Sequence, residues 1–77
     1  MLYLREIKIT DGIADALFYP EKSQHPVSII VDCINDEVLS HGDNAGYGMS
    51  YIAHARKALT EMYNSGNHSA ETLVVWC

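Results

Sequence analysis

Two consecutive residues, Asp11 and Gly12, constrain this chain more than any other pair. They stand between two runs in which apolar and polar residues alternate. An Asp-Gly pair in that setting signals a two-residue type I′ turn joining two antiparallel strands. Both central residues of such a turn need positive φ, which glycine adopts without steric cost. If the turn sits there, residues whose numbers add to 23 face one another. Lys8 then meets Asp15, an opposite-charge cross-strand pair. Ile9 meets Ala14, Ile7 meets Ala16 and Arg5 meets Phe18 on one face. Leu4 meets Tyr19 and Glu6 meets Leu17 on the other.

The rest of the chain reads as three more strands and one helix. Pro20 and Pro26 bound a polar loop that ends the second strand. Residues 27–34 form the strongest β segment, with Val27, Ile29, Val31 and Cys33 on one face and Ser28, Ile30, Asp32 and Ile34 on the other. Asn35-Asp36 marks a tight turn, and residues 37–41 return as a short fourth strand. A helix is predicted over about 47–64, with Tyr51, Ile52, Ala55, Leu59 and Met62 on one arc. Gly48 falls in that arc, where a missing side chain would let helix and sheet approach. Gly66 suits the position just past the helix end. Residues 72–76 read as a final buried strand. The order ββββαβ implies one α+β domain over 1–77. It is a two-layer sandwich, a mainly antiparallel sheet with one helix packed on one face. The strand order and the direction of the last strand are left open.

Composition agrees with a folded chain and removes several functions. The 77 residues are 48% apolar and 19% charged. A chain of this length exposes roughly 4,700 Å² when folded against about 12,500 Å² unfolded, enough for one thin core. Five basic residues face ten acidic ones, a net charge of −5. That balance argues against nucleic acid, because phosphate binding calls for a basic patch. It also argues against an anionic membrane surface. No window approaches the roughly 18 apolar residues of a membrane span, and the start carries no signal-peptide pattern. Cys33 and Cys77 lack the spacing of a disulfide framework and read as reduced thiols in a cytoplasmic protein.

Catalytic and metal chemistry find no foothold. His25, His41, His54, His68, Asp43 and the cysteines make no metal-binding spacing, so neither a metal nor a cofactor is expected. The wheel places His54 on the wet face of the helix. Cys33 falls on an apolar strand face without an adjacent base, which makes it a small buried hydrophobe. No catalytic residue is assigned, and no enzymatic activity is expected. Gly46, Gly48 and Ser50 precede the helix and could offer backbone N–H groups to an anion, although the pattern lacks the lysine and spacing of a phosphate loop.

Tyr19-Pro20-Glu21 ahead of a strand, Val31-Asp32 followed by Glu37-Val38, His54-Ala55 with Leu59, and the closing Val74-Val75-Trp76 resemble small bacterial proteins of unknown function. The resemblance rests on structural positions and implies no activity and no catalytic residue.

One helix cannot cover both faces of a five-stranded sheet. If it covers Ile7, Ile9, Phe18, Val27, Ile29 and Val31, then Leu4, Leu17, Tyr19, Ile30 and Ile34 point the other way. A contiguous exposed apolar cluster marks an interface. The expected function is therefore a non-enzymatic protein-interaction module, a homodimer or an adaptor for another protein. The alternative is a small-ligand or anion binder using the 42–50 loop at the helix N-terminus. A third reading has the 20–26 loop or the N-terminus folding over the apolar patch.

Overall fold

The computed structural model describes residues 1–43 and 46–76. Its elements are β1 (Leu2–Thr10), β2 (Ile13–Pro20), β3 (Val27–Asp32), β4 (Glu37–His41), α1 (Met49–Ser65) and β5 (Thr72–Val74). The strands form one sheet in the order β4-β3-β2-β1-β5, and every neighbouring pair is antiparallel. The helix packs on one face, which makes the α+β two-layer sandwich that the ββββαβ order implies. β5 lies antiparallel to β1 at the sheet edge and is shorter than expected.

Asp11 (φ 52°) and Gly12 (φ 79°) both occupy the left-handed region, as a type I′ turn requires. The register next to the turn follows the expected rule, with Lys8 facing Asp15 and Ile9 facing Ala14. Beyond Lys8 it slips by one. Arg5 faces Leu17, Leu4 faces Phe18 and Tyr3 faces Tyr19. The cause is a β-bulge at Glu6, whose φ of 54° places it in the left-handed region. An extra residue in one strand exchanges the faces of everything beyond it. Leu4 is therefore fully buried on the helix side beside Leu2 and leaves the candidate interface. Arg5, expected on the core face opposite Phe18, instead shares the open face with Leu17.

The third strand stops at Asp32. Its carboxylate accepts hydrogen bonds from the Ile34 N–H (3.0 Å), the Asn35 N–H (3.1 Å) and the Asn35 side-chain amide (2.7 Å). These bonds offer the backbone a turn in place of the ladder. The strand's alternation consequently does not extend to Ile34, which lies across Gly12 at the hairpin end of the sheet. The Cys33 N–H donates to the Gly12 carbonyl (2.8 Å), tying this turn to the hairpin.

The core joins Leu2, Leu4, Ala14, Ala16, Phe18, Val27, Ile29 and Val31 of the sheet to Ile52, Ala55, Leu59 and Met62 of the helix. Each large side chain buried in this way contributes about 1.5–3 kcal/mol. The helix starts at Met49 with Gly48 as its N-cap. Among the described residues no atom lies within 4 Å of where a Gly48 Cβ would stand, so helix and sheet do not approach there. Gly66 ends the helix in the left-handed conformation, and the Asn67 N–H reaches the Met62 carbonyl at 2.9 Å. Asp36 fastens the β3–β4 turn to the helix through Arg56 (2.5 Å) and the Thr60 hydroxyl (3.0 Å).

Candidate functional site

The sheet face away from the helix is the one extended surface built from regular backbone that no described element covers. The pairing arranges its side chains in rows. Leu73, Tyr3 and Tyr19 form the first row. Arg5, Leu17 and Ser28 form the second. Lys8, Asp15, Ile30 and Ser40 form the third. Thr10, Ile13, Asp32 and Glu37 form the fourth. Leu17, Tyr19 and Ile30 are half-buried here, while Tyr3, Ile13 and Leu73 are 38–45% exposed.

Of the five residues expected on this face, the structure brings Leu17, Tyr19 and Ile30 together and removes Leu4 and Ile34. It adds Tyr3 and Arg5. The Arg5 guanidinium lies 5.3 Å from the Tyr3 ring centroid and 5.6 Å from that of Tyr19. Both distances fall within cation–π range. The two rings thus flank the guanidinium. Beside them lies a hollow of about 300 Å³ lined by Tyr3, Arg5, Tyr19 and the 21–24 segment. The sequence did carry a signal for this corner. Apolar residues at 2, 4, 7 and 9 skip one position between Leu4 and Ile7, which is how a bulge reads in a strand.

The loop after β2 flanks this face at one end. Glu21 Oε2 accepts from the Met1 amino group (2.6 Å) and from the Tyr51 hydroxyl (2.9 Å) on the helix. The amine first and then the hydroxyl hold the Glu21 carboxyl below its ordinary value. These contacts anchor the start of the loop toward the helix layer.

The remaining candidates stand apart. Gly46 (φ 83°) and Gly48 (φ 84°) lie in exposed backbone, and Ser50 is exposed in the first helical turn. Residues 44 and 45 of the same loop, and Cys77, lie outside the described residues. His54 is half-buried rather than on a wet face. Its ring stacks on Trp76 at 4.0 Å between centroids, and Tyr51 meets Trp76 edge-on at 5.3 Å. Trp76 thus follows the last strand and closes one end of the helix. Cys33 is buried, and burial pushes its thiol pKa up. Among the described residues no three His, Cys, Asp or Glu side chains could together hold a metal ion. No described helix is long and apolar enough to cross a membrane.

The fold therefore defines a helix-backed antiparallel sheet with an open face of mixed aromatic, aliphatic and charged character. Comparison with protein-family models, with curated proteins and with solved structures finds no match.

Proposed function

We propose that this chain is a protein-interaction module that docks through the open face of its sheet. One observation carries the reading: the helix covers one face, and Tyr3, Arg5, Leu17, Tyr19 and Ile30 lie together on the other. Tyrosine and arginine are enriched where binding energy concentrates, because each offers a large contact area with a polar end. Asp15, Asp32 and Glu37 on the same face oppose a polyanionic partner such as nucleic acid.

Light scattering on the wild type and on Leu17→Glu tests the reading. Leu17 is half-buried at the centre of the face, so a carboxylate there meets any docked surface. The expected result is a self-associating wild type and a monomeric variant whose melting temperature stays within a few degrees. A variant that unfolds would place Leu17 in the core. A variant that associates like the wild type would move the contact to another surface.

A further inference from the structure

We propose that the open face is occupied by a second copy of this chain, with the Arg5 corner of each protomer against the Glu37 corner of the other. This rests on the open face being a docking surface and adds the partner and its orientation. The argument is the distribution of charge. Arg5 and Lys8 belong to β1, and Lys22 borders the same hollow as Tyr3 and Tyr19. Asp32 and Glu37 pair with each other on β3 and β4 at the opposite corner, while Asp15 on β2 faces Lys8. The ion pairs among the described residues are Met1–Glu21 and Arg56–Asp36, and no open-face charge takes part in either. Even Lys8 and Asp15, which face one another across β1 and β2, form no ion pair. Arg5 and Lys22 thus mark one corner of the surface and Asp32 and Glu37 the opposite one, while Glu6, Lys8 and Asp15 lie together between them.

A twofold axis lying between two such faces, diagonal to the strands, carries each cationic corner onto the partner's acidic one. Both contacts form at once, as a self-complementary interface requires. The strands of the two sheets then cross steeply, one of the two common ways for sheets to pack. Leu17, Ile30 and the tyrosines fill the space between the corners. Five strands about 4.8 Å apart and about six residues long give a face of roughly 480 Å² in plan. Two such faces bury on the order of 1,000 Å², the lower end for a specific interface.

Sedimentation equilibrium on wild type, Arg5→Glu, Glu37→Lys and an equimolar mixture of the two variants tests the arrangement. Both positions are exposed, and melting curves check that each variant stays folded. In either variant alone, like charges meet twice, and self-association should weaken at least about tenfold. In the mixture each contact again joins opposite charges, and association should return to within about threefold of wild type. A wild type that stays monomeric at about 1 mM overturns the proposal, while the docking reading then passes to a foreign partner. Self-association lost in Leu17→Glu but unchanged in the charge variants, or not recovered in the mixture, also overturns it. That outcome leaves the open face as the docking surface.

Discussion

Gly12→Ala is the sharpest probe of the hairpin that sets the register of the sheet. Gly12 has φ 79°, and an alanine held in the left-handed region costs about 1–2 kcal/mol. The added methyl would also stand 2.5 Å from Ile34 Cδ1 and 2.7 Å from Ile34 Cγ1. Ile34 is 65% exposed and can swing aside, so this contact adds only about 0.5–1.5 kcal/mol of rotamer cost. The sum is about 2.5 kcal/mol, which lowers the melting temperature of a domain this size by roughly 10–20 °C. Circular dichroism melts at several protein concentrations separate this loss from any effect of association. The same substitution in an Ile34→Ala background should cost less by the rotamer share, since the obstructing carbons are gone. A Gly12→Ala melt within about 2 °C of wild type would refute the turn assignment. An equal loss in both backgrounds would refute the Ile34 contact.

Three other outcomes follow from particular residues. Glu6→Val should lower the melting temperature by several degrees, because a β-branched side chain is poorly accommodated at φ 54°, whereas Glu6→Gly should not lower it; equal melts for both variants would contradict the bulge. In a Cys77→Ser background, Cys33 should react slowly with a thiol reagent in the native protein and quickly in denaturant, because it is buried and its thiol is pushed up; fast native labelling would contradict its place in the core. Arg56 and Thr60 hold Asp36 below its ordinary pKa, Asn35 does the same for Asp32, and the Met1 amine for Glu21. Folded values below unfolded ones give stability that is complete above about pH 5 and is lost as pH falls through the folded values. The melting temperature should fall below about pH 5, and less steeply in Asp36→Asn; parallel acid profiles would contradict the role of the Asp36 contacts.

Much of the fold was legible in the sequence because local chemistry and long-range pairing agree. Asp11-Gly12 fixed the hairpin, the arc of Ile52, Ala55, Leu59 and Met62 fixed the buried side of the helix, and Gly66 fixed its end. The open face was legible only in part. Strict alternation fails at Glu6 and again after Asp32. Glu6 adds a residue to β1, which turns Leu4 inward and Tyr3 and Arg5 outward. Asp32 binds the amides after it, which ends β3 before Ile34. The first break shows in the spacing of Leu2, Leu4, Ile7 and Ile9. The second depends on which backbone groups the Asp32 carboxylate reaches, and spacing does not encode that. The His54–Trp76 stack was hidden for a related reason. Trp76 lies beyond β5, so a strand pattern says nothing of its direction.

If two copies of this chain meet through the open sheet face, concentration alone should report it. A dilution series of backbone amide NMR spectra, from about 1 mM to about 10 μM, tests it residue by residue. Concentration-dependent shifts are expected at Tyr3, Arg5, Leu17, Tyr19 and Ile30, with the amides of Lys57, Glu61 and Asn64 on the exposed side of the helix unmoved. Shifts confined to the helix, or a spectrum that does not change across the whole range, would contradict it.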